Sequence, residues 1–332
     1  MNASHPHGKT ESEVDLLDGP PPLPYSLHPR KKAIAITWSI IFFDSCLLPI
    51  IMFYSLWFTK LSHATVLNIL SSIFGLPSFI QFGKRVYYLC KKDSTCRPVG
   101  SKRGRLDCFQ WSFAFSVLLI TGQIVAAVTP DPPVVPLFAM VTSTMLFVTG
   151  VQLVSGFFLY QARVKVPFGL SSLPAGHTAH PGVFTIIEDI VAVDGGGGTA
   201  YREALVARYD ASPLFRRMLN RLDLFWGLGA LTTASIVTIL LWTIPVQIGY
   251  WIGWLVPFLW AGLWAFLTIR YVQSCLIEER KAWRSEGMRD RDNSVPLIPR
   301  PPSTEHYNNP YEQTESFQAE ALYEPVSYDE RT

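Results

Sequence analysis

The stretch "AIAITWSIIFFDSCLLPIIMFYSLWF", residues 33–58, decides the fold of this chain. It is long enough for a helix to cross a ~30 Å hydrocarbon layer at ~1.5 Å per residue, and its single charged side chain is Asp44. Charged residues make up 16% of the whole chain, against the ~25% usual in soluble domains. Five more apolar blocks follow, at residues 64–83, 109–128, 134–160, 225–245 and 249–272. The sequence therefore predicts an all-α fold, a bundle of six transmembrane helices.

Lysine and arginine residues fall almost entirely on one side of this arrangement. The loops of the other side are residues 59–63, 129–133 and 246–248, and of 28 lysines and arginines they contain only Lys60. Short loops rich in these residues stay in the cytoplasm. We therefore expect both termini, the basic loop 84–108 and the segment 161–224 to be cytoplasmic. The far side is too small for an ectodomain.

The two ends of the chain are predicted to be cytoplasmic tails. Residues 1–32 are polar and proline-rich, with no apolar core of a signal peptide. Residues 273–332 first continue the last span as a helix through "CLIEERKAWRSEGM", where Gly287 offers a stop, and then become proline-rich. Neither tail can bury enough apolar surface to offset its ordering entropy, so we expect disorder beyond the helix. The proline-rich parts are candidates for binding cytoplasmic proteins. We expect no nucleic-acid partner and no cofactor.

Asp44 is the main candidate for function inside the membrane. An aspartate at the centre of a span costs about 2.5 to 3.5 kcal/mol on insertion scales, so such a residue usually faces a cavity, a partner or a proton path. Pro49 removes a backbone hydrogen bond close by and predicts a kink. The alternative is a structural role, in which a protonated Asp44 bonds a neighbouring helix through Gln123, Gln152 or a threonine.

Further carboxylates lie in "IIEDIVAVDGGGG", residues 186–198. Its apolar residues recur at helical spacing, which predicts an amphipathic helix over 183–193, and a second helix over 200–209 follows the glycines. We interpret the four glycines as a hinge, because a phosphate-binding loop would need a lysine followed by serine or threonine. Glu188, Asp189 and Asp194 remain candidate acid or base groups. The alternatives are a solvated acidic face and ion pairs with the basic loop 84–105.

No metal site is favoured. His177 and His180 are weak candidate ligands near these acids, but Pro181 removes the meaning of their helical spacing. Three cysteines close to predicted cytoplasmic helix ends are candidates for palmitoylation, namely Cys90, Cys108 and Cys275.

The stretch "ASPLFRRMLNRL", residues 211–222, predicts a basic amphipathic helix. Ser212 is a good N-cap and Pro213 suits the first helical position. We expect this helix to lie along the inner membrane surface, with Arg216, Arg217 and Arg221 directed toward anionic lipids.

From residue 180 to about 230 the chain resembles a group of multi-pass membrane proteins of filamentous fungi. The resemblance rests on an E-D-x-V-A-V-D-G block, the arginine-containing helix after it, an "RY-x-x-S-P" step and "LFWG" at residues 224–227. The matching positions are Glu188, Asp189, Asp194, Gly195 to Gly198, Arg202, Arg208, Tyr209, Ser212 and Pro213. The resemblance implies no activity, and it associates the protein with fungal secondary metabolism only by context.

Three functions are compatible with these features. A scaffold or accessory protein of an internal or plasma membrane would use the tails and the segment 161–224 to recruit partners. A membrane-embedded enzyme would act on a lipophilic, isoprenoid-like metabolite with the carboxylates as acid and base. A proton-coupled transporter would use Asp44, although the sequence has no internal repeat. We rank them in that order.

Overall fold

The computed structural model describes residues 19–25 and 31–294, and the features below belong to those ranges. A π-helical turn, Phe43–Leu47, separates the first two α-helices. The α-helices are α1 (Lys31–Phe42), α2 (Leu48–Trp57), α3 (His63–Cys90), α4 (Cys108–Val128), α5 (Val135–Ala139), α6 (Val141–Gln161), α7 (Gly182–Val193), α8 (Gly198–Ala211), α9 (Pro213–Thr243) and α10 (Val246–Ser294). The described part contains no β-strand, only two isolated bridges. The tails expected to be disordered lie mainly outside the described residues.

In the part of the chain that the structure describes, six helical segments are long and apolar enough to cross a membrane. They are Ala35–Trp57, His63–Cys90, Cys108–Val128, Val141–Gln161, Pro213–Thr243 and Val246–Ser285. This confirms the all-α bundle of six spans expected for a multi-pass membrane protein. The last helix continues past the span, as predicted, but Gly287 does not end it, because α10 runs on to Ser294.

The basic helix at residues 211–222 is not a separate surface helix, so that prediction was wrong. It is the first part of α9, which continues without interruption into the fifth span. Ser212 caps it as expected, with its hydroxyl accepting a hydrogen bond from the Phe215 amide at 3.2 Å. The apolar face is buried against α7 and α8, where Phe215 and Leu219 share a core with Phe184 and Leu205. Because that face is already covered by protein, it cannot also enter the lipid.

Two glycines bring α6 and α9 close together. A Cβ added at Gly150 would lie 3.0 Å from the Gly227 carbonyl oxygen, and one added at Gly227 would lie 3.1 Å from the Val154 nitrogen. Small residues of this kind let transmembrane backbones pack closely. The α6 and α9 pair thus forms a tight backbone-to-backbone contact beside which α7 packs.

The four glycines at 195–198 form a compact turn between α7 and α8. The Gly197 amide donates to the Val191 carbonyl at 2.9 Å, and Gly198 has a φ of +63°. A Cβ at Gly198 would lie 2.9 Å from the Thr95 carbonyl oxygen. Gly198 is therefore required by close packing against the basic loop, which is a different reason from the hinge proposed from sequence.

Candidate functional site

Asp44 lies in the π-helical turn that interrupts the first span. Pro49, at the start of α2, cannot donate the backbone hydrogen bond that would continue a regular helix, and the turn Phe43–Leu47 precedes it directly. Turns of this type are frequent at functional sites, because the extra residue redirects a side chain. The kink predicted from Pro49 therefore takes the form of a π-helical turn that contains the aspartate.

A cavity of about 400 Å³ opens beside Asp44 in the interior of the bundle. Residues of α3, α4, α6 and α10 line it, together with Phe138 of α5. Its walls are mainly aromatic and aliphatic, and Trp254 and Phe258 belong to them. Its polar lining groups, besides Asp44, are hydroxyls such as those of Ser45 and Thr121. Among the described residues, Asp44 is the only ionisable one that lines this cavity.

The groups proposed as structural partners of Asp44 have other partners. Gln123 donates to the Leu137 carbonyl at 2.8 Å and also bonds Thr144, while Gln152 accepts from Ser112 at 2.6 Å. No hydrogen bond or ion pair joins the Asp44 side chain to another residue in the described part of the chain. The structural alternative, in which Asp44 bonds Gln123, Gln152 or a threonine, was therefore wrong, because no such bond forms among the described residues.

A second cavity, of about 590 Å³, reaches Asp44 from the gap between the first two spans. Its polar lining includes Ser39, Ser78 and Gln81. Ser39 precedes Asp44 in the first span and Gln81 lies toward the C-terminal end of α3, so both extend from Asp44 toward the end of the bundle that carries the basic loop. Asp44 thus lies where an apolar interior cavity and a more polar lateral groove meet.

The carboxylates of α7 belong to a different place, a buried cluster of charges at the basic end. Glu188 and Asp189 have 2% and 0% exposure, so the expected solvated acidic face was wrong. Both bond the fully buried guanidinium of Arg202 in α8, Nη1 lying 2.8 Å from Glu188 Oε1 and 2.6 Å from Asp189 Oδ1. The second oxygen of Asp189 accepts from the Ser171 hydroxyl at 2.6 Å and from the Phe109 amide at 3.0 Å.

Arg85 and Asp107 extend this cluster to α3 and α4. Arg85 Nη2 lies 2.8 Å from Asp107 Oδ2 and 3.0 Å from the Asp189 carbonyl oxygen, and Nη1 bonds Asp194. Arg202 Nη2 reaches Asp107 at 3.4 Å. The proposed pairing of the acids with the 84–105 region is thus correct for Arg85 and Asp194, whereas Glu188 and Asp189 pair with Arg202 instead.

The cluster carries more negative than positive groups, four carboxylates against two guanidinium groups. Burial, together with the nearby charge of Asp107, raises the pKa of Asp189 to about 7, although Arg202 opposes the shift. Burial also raises the pKa of Asp194. Each of the four carboxylates accepts a hydrogen bond from Arg85 or Arg202, and the cluster joins four helices. We interpret it as a structural lock rather than as an open reaction site.

Sequence reasoning assigned no contact to Asp107, Arg202 or Asp223. Asp107 could have been identified from sequence, because aspartate is a preferred N-cap residue and Asp107 caps α4 by accepting from the Gln110 amide at 2.8 Å. Asp223 accepts from the Gly182 and Val183 amides at 2.7 and 2.6 Å and so caps α7 from another helix. That long-range cap had no local signal.

The weak metal ligands do not join the acids. The His180 ring packs at 4.5 Å between centroids on both Phe184 and Tyr209, and burial lowers its pKa to about 4. His177 is exposed in the loop before α7. Among the described residues no group of three or more His, Cys, Asp or Glu side chains is placed to hold a metal ion.

The remaining candidates lie at the basic end or near it. Cys90 ends α3, Cys108 begins α4 and Cys275 lies within α10, all as half-buried free thiols. Arg216 donates to the Tyr209 and Asp210 carbonyls at 3.0 and 2.9 Å. Arg217 and Arg221 are exposed. Palmitoylation and lipid binding at these positions stay predictions.

Comparison with known proteins gives one match. The family model described as "Domain of unknown function (DUF8766)" matches residues 9–283. No curated protein matches the chain, and no solved structure matches it.

Proposed function

Because the chain belongs to the DUF8766 family, whose function is unknown, its activity has to be inferred from its own site, and we propose that it binds a lipophilic molecule inside the membrane with Asp44 as the polar anchor. The observation that carries the proposal is the position of Asp44 on an otherwise un-ionisable cavity of about 400 Å³, with no hydrogen-bond partner among the described residues. A costly carboxylate without a structural partner is retained when a ligand or a proton uses it.

The chemistry of the cavity defines the ligand class. Carboxylate oxygens accept hydrogen bonds, so the ligand presents a donor, an ammonium or hydroxyl group, at Asp44. The rest of the ligand is apolar, since it contacts side chains such as Phe113, Trp254 and Phe258. The volume lies within the ~300 to 1,000 Å³ usual for small-molecule sites. A lipophilic amine or alcohol fits this description, and the attraction of an ammonium for Asp44 is strengthened by the low dielectric around it.

The lateral groove supplies a route to this site. Ser39, Ser78 and Gln81 place polar groups between Asp44 and the basic end, while the gap between the first two spans is open to lipid. A ligand dissolved in the bilayer can enter sideways without crossing water.

The enzyme, transporter and scaffold functions that the sequence allows differ in how well they fit this site. An enzyme with two carboxylates as acid and base is less favoured, because Glu188, Asp189 and Asp194 are bound in the charge cluster and do not line the Asp44 cavity. A transporter would share the binding step proposed here. The scaffold role depends on tails that lie largely outside the described residues. A cytoplasmic position for both termini is supported by the distribution of lysine and arginine, and a place in fungal secondary metabolism by the sequence resemblance.

The test compares the wild-type protein with Asp44→Asn in detergent, using octylamine as the probe and octanoate as the acid of equal chain length. We expect octylamine to raise the melting temperature of the wild type, with at least tenfold weaker apparent affinity in Asp44→Asn, while octanoate has no effect. Asp93→Asn is the matched control, since Asp93 is exposed in the basic loop. Leu146→Trp, which fills the cavity, should also weaken binding. Equal octylamine binding by wild type and Asp44→Asn would overturn the proposal.

A further inference from the structure

A second lipid-facing concavity lies near the basic end, on the other side of α4 from Asp44. It measures about 760 Å³ and lies between α4, α6 and the loop residues 168–171, and we name it the interfacial groove. Its apolar wall includes Trp111, Phe115 and Val151, which are 65%, 59% and 56% exposed. Arg105 is the one cationic residue that lines it among those the structure describes, and it lies three residues before α4 begins.

The guanidinium of Arg105 has N–H donors that form no hydrogen bond within the described part of the chain. Its Nη2 donates to the Gly169 carbonyl at 2.7 Å, which holds the side chain at the groove. A guanidinium has five N–H donors in a planar fork that suits phosphate oxygens. No carboxylate forms an ion pair with Arg105 in the described part of the chain. This cation is therefore fixed in position but not neutralised.

The amides at the start of α4 cannot replace Arg105 as the group that binds an anion. Its first amides are already used: that of Cys108 donates to Ser171 at 3.0 Å, that of Phe109 to Asp189 at 3.0 Å, and that of Gln110 to Asp107 at 2.8 Å. Deeper in the groove, Gln152 accepts from Ser112 through Oε1, which leaves its amide N–H groups for an ester carbonyl. The groove thus offers groups that match an amphiphile, namely a cation at the start of α4, an amide farther along the groove and an apolar wall.

We propose that the interfacial groove binds one anionic phospholipid, with its phosphate at Arg105 and an acyl chain along Trp111, Phe115 and Val151. The charge of Arg105 selects an anionic headgroup over a zwitterionic one. Tryptophan at such a level is the usual neighbour of lipid headgroups. This site is separate from the Asp44 cavity, so either proposal can fail alone.

The experiment measures thermal unfolding of the full chain in detergent during titration with phosphatidylglycerol or with phosphatidylcholine of the same acyl chains. We expect phosphatidylglycerol to raise the melting temperature of the wild type, and phosphatidylcholine to act at least tenfold more weakly. Arg105→Gln should lose the preference for phosphatidylglycerol, whereas Arg103→Gln, a change of the same charge in the same loop, should keep it. Equal effects of the two lipids on the wild type, or an unchanged preference in Arg105→Gln, would overturn the proposal.

Further measurements distinguish a bound phospholipid from other occupants of the interfacial groove. Val151→Phe narrows the apolar part and should weaken the response to phosphatidylglycerol while leaving the melting temperature without lipid unchanged. Inorganic phosphate alone should give no stabilisation, and stabilisation that depends on Arg105 would indicate a site for a free anion instead. Intact-mass analysis showing an acyl chain attached to Cys108 would also contradict the proposal, because that chain would occupy the groove.

Discussion

Arg202 Nη1 lies 2.6 Å from Asp189 Oδ1, and both side chains have no exposed surface. Two helices, α7 and α8, are joined by this ion pair at the end of the bundle that carries the basic loop. A buried ion pair contributes little net stability over an apolar pair, but removing one partner leaves an uncompensated charge. The pair therefore fixes how α7 and α8 pack, and its loss is costly.

Replacing Arg202 by Met should lower the free energy of unfolding by about 3 to 5 kcal/mol, because Glu188 and Asp189 then remain buried without their cation. The measurement is denaturant unfolding in detergent. Arg217→Met is the control, since Arg217 is exposed on α9 and should change stability by less than about 0.5 kcal/mol. A loss in Arg202→Met no larger than that of the control would show that the cluster does not hold the helices together.

Stability should depend on pH through Asp189. Its pKa is raised to about 7 in the folded protein, while an unfolded aspartate titrates near 3.8. A group whose pKa is raised on folding stabilises the folded state at low pH, and this stabilisation is lost as the pH rises through the folded value. Between about pH 4 and pH 7 the free energy of unfolding should fall with rising pH, by at most about 1.4 kcal/mol per pH unit from this residue.

Asp189→Asn tests the assignment of that slope. The amide carries no titrating proton, so the slope between pH 4 and pH 7 should become smaller than in the wild type when melting is followed across a buffer series. Asp93→Asn should leave it unchanged, because Asp93 is exposed. An identical slope in Asp189→Asn and the wild type would assign the pH dependence to other groups.

Sequence patterns predicted the spans well, because the mean hydropathy of a whole block does not depend on which helices pack against it. The helices of the 161–224 segment were also predictable, since the apolar residues of α7 recur at helical spacing. The pattern could not say what covers an apolar face: the face of Phe215 and Leu219 fits a membrane surface and a protein core equally well, and the core is what the fold provides. The charge cluster joins Arg85, Asp107 and Arg202 across more than a hundred residues, so only the packing reveals it.

Close contact between α6 and α9 should make Gly150 sensitive to a single methyl group. In Gly150→Ala the Cβ would meet Leu231 Cγ at 2.8 Å and the Gly227 carbonyl oxygen at 3.0 Å. Overpacking of this kind costs about 1 to 3 kcal/mol, measured as a fall in the free energy of unfolding. Gly122→Ala in α4 is the matched control, because a Cβ there meets nothing within 4 Å. Equal stability of the two variants would show that α6 and α9 can separate without cost.

The stability of Asp44→Leu distinguishes a carboxylate kept for function from one that holds the fold together. Asp44 lines a mainly apolar cavity without a hydrogen-bond partner in the described residues, so its removal breaks no observed contact. Leucine at the centre of a span is favourable by insertion scales, whereas aspartate costs about 2.5 to 3.5 kcal/mol. Asp44→Leu should therefore melt at the same or a higher temperature than the wild type in detergent.

Asp189→Leu, the comparison variant, should melt at a lower temperature than the wild type, because Arg202 loses a partner. Residues kept for function often reduce stability, so a gain in Asp44→Leu with loss of octylamine binding would support the proposed site. A clear loss of stability in Asp44→Leu would instead assign Asp44 to the fold.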